Sequence, residues 1–516
     1  MIIGQVIGST TLKTFRFVIK EGQEEHVKRD EFVSVKESVT GHDVLGVIKE
    51  IVISNELLPD EFGRDLRMGD IILKEGEYPV PMVKILGHET KDGLEPPRHG
   101  IKPGTPVELA SDAQLNRILS QDASKSAYIG TLATRESVPV YVDINELVSR
   151  HCAVLAMTGA GKSYTVGVLM EELMKKKGSV VVFDIHGEFK NMRLERSSVG
   201  VYGIDSDSRI KVEVSSLSIG DYNNLMPDLT PSQRDLLDEI LGMSYRFYEK
   251  YDMKAILNIL DILYDIKKED GVKKGKEKEK ADTSIFPEAI LRGITKKASL
   301  STIGALTRRI RRLERMGVFT ADGTPLAELV SGNRLTVINL SEAEEGVSEI
   351  IVAAICRSIF DSRKRYLKGD LEELSTPTLL VVEEAHTFAP RAYSEIISPS
   401  RNILRKIARE GRKFGVGLCI ISQRPNKLDA DVLSQCNTQF IMKIVNPSDQ
   451  EYIRQSIETV TEDIVRDLPG LSRGEAVVAG SAVRMPILAR IRQRETAVGG
   501  SDLDIVGIWN KDYGKD

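Results

Sequence analysis

Hydrophobic positions along this chain change their spacing twice. Through residues 1–143 they form short runs: Ile2–Ile7, Thr14–Ile19, Glu31–Val35, Val44–Ile53, Pro81–Leu86, Pro106–Leu109 and Ala127–Leu132, many separated by Gly, Pro or Asp. Many short strands broken by frequent turns predict a small all-β barrel or sandwich. Pro139–Asp143 reads as its end or as a linker. From residue 148 to 190 the pattern becomes β-α-β. Cys152–Ala156 is a buried strand, Ser163–Lys177 a helix with cations in its last turn and Gly178 as its cap, and Ser179–Asp184 the next strand. Such alternation predicts a parallel sheet covered on both faces.

Residues 215–330 interrupt the alternation. Thr230–Tyr248 opens with Thr-Pro-Ser-Gln, a good helix start, and Lys254–Ile266 is a second helix. Lys267–Lys280 is a run of Lys, Glu and Gly that reads as a solvated loop. Ser301–Met316 is a third helix, with Ser301 as N-cap. Its Ile303, Leu306, Ile310 and Leu313 make an apolar stripe, and Arg308, Arg309, Arg311, Arg312 and Arg315 mostly occupy the other faces. The region reads as a helical insertion. Alternation then resumes with strands Arg334–Leu340, Thr378–Val382, Val416–Ser422 and Gln439–Val445 and helices Val347–Tyr366, Pro399–Phe414 and Pro447–Ile457. Glu475–Ala479 and Met485–Ile491 form a closing hairpin, and beyond Ala497 a Gly-rich, then acidic tail carries Trp509 and Tyr513.

Composition narrows this picture. The 516 residues suffice for two or three domains, and a net charge of −5 confines any nucleic-acid surface to a local patch. Cys152, Cys356, Cys419 and Cys436 form no C-x-x-C pair and sit in apolar segments, as buried thiols of a reducing cytosol do. No apolar run reaches the ~18 residues of a membrane span, and no secretory signal opens the chain, so a cytoplasmic protein is expected.

The candidate chemistry starts where the first core strand meets its helix. Thr158, Gly159, Ala160, Gly161, Lys162, Ser163 and Tyr164 form a glycine-rich turn closed by Lys-Ser, a cradle for nucleotide phosphates. Backbone N–H groups wrap the phosphates, Lys162 reaches the β/γ oxygens and Ser163 ligates Mg²⁺. Ala156 stands where the usual pattern has its first glycine, a mild departure if its φ is negative. The strand Leu379–Val382 ends in Glu383 and Glu384. Glu383 is expected to hold Mg²⁺ through water, and Glu384 to orient and polarise the attacking water. Asp184 ends the strand after the first helix, so Asp184 and Glu188 reach either the Mg²⁺ or only a turn. Gln423 follows the Val416–Ser422 strand, where an amide can sense the γ-phosphate or hold water. Arg150, Arg409 and Arg412 fall on the opposite edge of the sheet. Arg150 lies roughly 20 Å from its own phosphates at ~3.3 Å per strand residue, so these side chains serve a neighbouring subunit or simply a solvated helix end.

Met157–Ser163, Asp184–Glu188, Glu383–His386, Arg409–Gly415 and Ser422–Pro425 together, in this order and spacing, resemble the HerA–FtsK branch of ring ATPases, and within it the HerA family. Glu31-Phe32-Val33 and Gly46-Val47-Ile48 are similar to that family's small barrel. The resemblance implies a RecA-like P-loop ATPase core, an α/β fold with an inserted helical subdomain, preceded by a small all-β HAS-barrel-like domain. Residues 1–145 would be the barrel and 146–495 the core with its insertion at about 215–330, and the tail 496–516 reads either as an arm between subunits or as a frayed end. It further implies ATP and Mg²⁺, a homo-hexamer with double-stranded DNA in its pore, and a NurA-type nuclease partner. Arg409 becomes a trans finger and Arg150 a second inter-subunit contact to nucleotide. The expected activity is a DNA translocase or helicase in end resection and recombination. A conjugation or secretion ATPase, a rotary-type ATPase subunit and a non-motor ATP-gated clamp that recruits the nuclease remain the alternatives.

Overall fold

The computed structural model describes residues 1–55, 77–90, 93–271, 286–391, 398–497 and 505–506, and these divide into two compact units. The first comprises Met1–Asp143 and Glu475–Arg492, the second Ile144–Gly474 and the segment from Gln493 onward.

In the first unit, β1 (Ile2–Ile7), β2 (Thr14–Ile19), β3 (Phe32–Lys36), β4 (Asp43–Asn55), β5 (Glu77–Thr90), β6 (Gly93–Glu95) and β7 (Pro106–Leu109) form an antiparallel sheet in the order β2-β1-β7-β3-β4-β5-β6. Pairing of β2 with β5 closes six of these strands into a barrel. Alternate residues, among them Ile3, Phe15, Phe17, Val33, Val35, Val44, Ile48, Val83 and Val107, fill its interior, so the expected barrel is present. The unit is not all-β, however. Asp112–Leu119 is a helix, capped by the Ser111 hydroxyl and burying Leu115, Ile118 and Leu119. Pro139–Asp143 is no linker but the second half of β9 (Arg135–Asp143), which pairs with β8 (Ser126–Leu132). The hairpin of β19 (Glu475–Gly480) and β20 (Ile487–Ile491) forms as expected. It pairs with β8 and groups with this unit, although its residues fall inside the 146–495 span expected for the core.

In the second unit, β10 (Cys152–Leu155), β11 (Ser179–Asp184), β12 (Ser198–Gly203), β15 (Arg334–Asn339), β16 (Thr378–Val382), β17 (Val416–Ser422) and β18 (Thr438–Ile441) form a parallel sheet ordered β12-β15-β11-β16-β17-β10-β18. Every residue of β10, β11, β16 and β17 is buried, which is why these strands read as continuous apolar runs. The phosphate-loop helix, Lys162–Lys175, ends differently from expectation: Lys177, at φ +57°, takes the left-handed cap position. Gly178 is required for close approach instead, since its Cβ would lie 2.9 Å from the Leu173 carbonyl oxygen.

The insertion is helical, with Pro231–Phe247, Met253–Gly271, Glu288–Lys297 and Leu300–Arg315 as its main helices, and β13 (Val212–Glu213) pairing with β14 (Phe319–Thr320) at its base. The helix expected to stop at Ile266 continues into the Lys/Glu run as far as Gly271, and the remainder of that run lies outside the described residues. Ser299, not Ser301, caps the arginine-rich helix, accepting from the Thr302 N–H at 3.1 Å. The tail residues Trp509 and Tyr513 lie outside the described residues. Among the described residues no helix is long and apolar enough to cross a membrane.

Candidate active site

Parallel pairing puts the C-terminal ends of β10, β11, β16 and β17 along one edge: Leu155 stands beside Ser422, and Phe183 beside Val382. The loop and helix start after β10 therefore meet Glu384 through Lys162 and Gln423 through Thr158, residues up to 265 positions away in the chain, while Asp184 and Glu383 end strands on the same edge.

The loop itself is built by backbone conformation. Gly159 and Gly161 have φ of +79° and +109°, values that L side chains rarely adopt. Ala156 is not in that region, which explains why alanine serves there. Gly161 begins the helix without any side-chain cap. Thr165 is the first residue whose N–H turns back, to the Gly161 carbonyl at 2.9 Å. Among the described residues, no acceptor meets the N–H groups of Gly161, Lys162, Ser163 and Tyr164, and nothing stands within 4 Å of where a Gly159 Cβ would be. An open cradle of unpaired donors at a helix N-terminus fits phosphate oxygens.

Lys162 Nζ lies 2.7 Å from Glu384 Oε1, both side chains being largely buried. Glu384 takes φ +44°, a left-handed position costly for a side chain of its size, and its Oε2 has no hydrogen bond. His386 Nδ1 is 3.3 Å from that oxygen and 3.2 Å from the Ser422 hydroxyl. Burial, reinforced by Arg424, Lys162 and Lys427 and opposed by Glu384, holds the His386 imidazole below its ordinary pKa and so neutral. The Thr158 hydroxyl donates to the side-chain oxygen of Gln423, joining the phosphate loop to the end of β17.

Glu383 points the other way from Glu384. It accepts from the Ile185 and His186 N–H groups at 3.0 and 3.2 Å. Burial, then the neighbouring carboxylates of Asp184 and Glu188, pushes its pKa up to about 9. Asp184 is fully buried, and its two oxygens accept from the Glu188 and Phe189 N–H groups at 3.0 and 2.9 Å. The turn-forming reading of Asp184 thus describes its contacts, and its carboxyl also shares a hydrogen bond with Glu383. Asp184, Glu383 and Glu188 thus bring three carboxylates together at this end of the sheet, oxygen donors of the kind that hard cations such as Mg²⁺ take. Among the described residues no three acidic, His or Cys side chains are arranged to hold a metal alone, so the ion would need phosphate oxygens as well.

The arginines lie at the far edge. Arg150, just before β10, sits 3.1 Å from Glu146. Arg409, exposed near the end of the helix Pro399–Phe414, reaches Asp431 at 2.7 Å, and Arg412 is exposed one turn on. Sequence reasoning missed what joins them. His151, buried and at φ +60°, accepts from the Leu418 N–H at 3.0 Å through Nδ1, and its Nε2 is 3.1 Å from the Ala408 carbonyl oxygen. It ties the segment between Arg150 and β10 to β17 and to the residue preceding Arg409. Burial drops its pKa to about 4. Its position between a basic residue and a buried strand was the only signal.

A seven-stranded parallel sheet with a phosphate loop after one strand and paired glutamates after another defines a P-loop ATPase. The family described as "Helicase HerA, central domain" matches residues 127–359. A probable helicase of Methanocaldococcus jannaschii is 31% identical over 99% of this chain and 94% of its own length. The DNA double-strand break repair helicase HerA of Pyrococcus furiosus is 33% identical over 99% of this chain and 97% of its own. Among solved structures, the bacterial conjugative coupling protein TrwB covers 75% of this chain and 93% of its own, at 15% identity and a TM-score of 0.49. The chain belongs to the HerA helicase family.

Proposed function

We propose that this chain is an ATP-driven motor on double-stranded DNA, acting as a homo-hexameric ring with a NurA-type nuclease in double-strand-break end resection and recombination. The observation that carries this reading is the division of the site between two edges. Lys162, Glu384 and Gln423 stand at the C-terminal edge of the sheet, and Arg150 and Arg409 at the N-terminal edge. One chain holds two half-sites, and a ring brings each edge to its neighbour's opposite edge. Relatives named as DNA double-strand break repair helicases support DNA as the substrate.

Lys162 and the unpaired N–H groups from Gly161 to Tyr164 would bind the phosphates of ATP. Ser163 and Glu383 would hold Mg²⁺, with Asp184 acting through its hydrogen bond to Glu383; the ion supplies neutralisation of phosphate charge. Glu384, released from Lys162 when the phosphates take that ammonium, orients the attacking water, and Thr158 and Gln423 hold the loop to β17. Arg409 of the neighbouring chain leaves Asp431 to stabilise transition-state charge, and Arg150 contacts the same nucleotide. The test is ATP hydrolysis with and without long linear double-stranded DNA at low and moderate salt. Strong stimulation that fades with salt is expected; a rate indifferent to DNA, with the nuclease present, overturns the reading.

A further inference from the structure

The helix Leu300–Arg315 carries arginines at 308, 309, 311, 312 and 315, and nothing in the ATP site uses them. At about 100° of rotation per residue, Arg308, Arg311, Arg312 and Arg315 fall within roughly 100° of arc. That arc is centred opposite the buried stripe of Ile303, Leu306, Ile310 and Leu313. The row extends about 10 Å along the helix axis. Two of the five have partners: Arg309 donates to the Asp228 carbonyl oxygen at 3.2 Å, and Arg312 to Glu344 at 2.5 Å. Arg308, Arg311 and Arg315 are exposed, and no carboxylate stands within 4 Å of any of them among the described residues. Arg209 adds a further exposed cation beside Gly317, where the helix ends.

The same protein shows how it neutralises arginines when they serve structure. On the helix Pro399–Phe414, Arg401 pairs with Asp429 at 2.8 Å, and Arg405 reaches Asp431. Nor does the helix dipole account for the row, because its effect is confined to the last turn and Arg308 lies two turns before the end. A row of same-sign charges costs folding stability through repulsion and is relieved by a polyanion. Arginine rather than lysine at every position suits phosphate oxygens, which its planar fork can bind in bidentate fashion.

Resting on the DNA-motor reading, we propose that the Arg308–Arg315 face of the insertion is a docking surface for the phosphate backbone of DNA, separate from the ATP site and indifferent to base sequence. The test uses the full-length protein. Binding of a fluorescent mixed-sequence duplex of about 40 bp is followed as salt rises from about 50 to 300 mM, and each phosphate contact contributes ~0.9 to the slope of log affinity against log salt. In R308A/R311A/R315A the slope is expected to fall by roughly 1–3, while DNA-free ATP hydrolysis stays at the wild-type rate. R308K/R311K/R315K, which keeps the charges, should recover the slope. A steep wild-type slope unchanged in the alanine variant overturns this surface and leaves the DNA reading intact. No salt-dependent binding by the wild type removes both. An unchanged slope with a shift in oligomer mass on sizing would assign the row to contacts between chains and equally overturn the proposal.

Discussion

Replacing Glu384 by Gln separates two roles that meet on one side chain. Without nucleotide, Oε1 holds the Lys162 ammonium at 2.7 Å in a largely buried pair. Bound phosphates must take Lys162 from that partner. A hydrogen bond between charged groups is worth about 1.5–3 kcal/mol, and a glutamine that keeps the shape but loses the charge forfeits about half of it. ATP should then bind ~3–10-fold more tightly, since 1.4 kcal/mol is about tenfold. Turnover should move the other way, by about 10²-fold or more, because the amide cannot polarise water as a carboxylate does. Calorimetric titration with ATP at a magnesium concentration that saturates the wild type reads the first effect, and steady-state phosphate release the second. Hydrolysis by Glu384→Gln within a few-fold of wild type would refute the catalytic assignment. Unchanged affinity would refute competition between Glu384 and phosphate for Lys162.

Gly161→Ala must place a side chain at φ +109°, with its Cβ 3.2 Å from Met442 Cε, so loss of ATP binding in a folded protein is expected, read by nucleotide titration and thermal melting. His151 binds its proton at about pH 4 in the folded chain, against about 6.5 when unfolded, so the unfolded state gains the proton first. Stability is therefore lost as pH falls from 6.5 towards 4, by about 3 kcal/mol at 1.36 kcal/mol per pH unit; His151→Gln should show a flatter melting profile across that window. Arg409→Ala should be inactive alone, yet regain some ATP hydrolysis when mixed with Lys162→Ala subunits, because some junctions then hold both intact halves; verified mixed rings without recovery would exclude a trans role.

The long apolar runs by themselves determined much of this protein. Thr378–Val382 and Val416–Ser422 were legible to the residue because strands buried on both faces cannot tolerate polar interruption. The barrel strands Ile2–Ile7, Thr14–Ile19 and Pro106–Leu109 were equally plain, being bounded by turns. The phosphate loop and Glu383-Glu384 could be placed at one edge because local order plus a parallel sheet dictates that placement. The helix Asp112–Leu119 was overlooked: its two turns are too short to outweigh the surrounding strands, although Ser111 marks its start. Ser301 was read as the cap, whereas the helix starts at Leu300 and the Ser299 hydroxyl takes the Thr302 N–H; a serine two residues away suits a cap equally well by residue type. What tertiary structure alone decided are contacts between residues far apart in the chain. Glu384 closes on Lys162 and His386, Glu383 shares a hydrogen bond with Asp184, and His151, next to Arg150, reaches Arg409's helix. Periodicity records which face of an element is buried, but not which element covers it; that pairing is settled by packing and by the need of every buried charge for a partner.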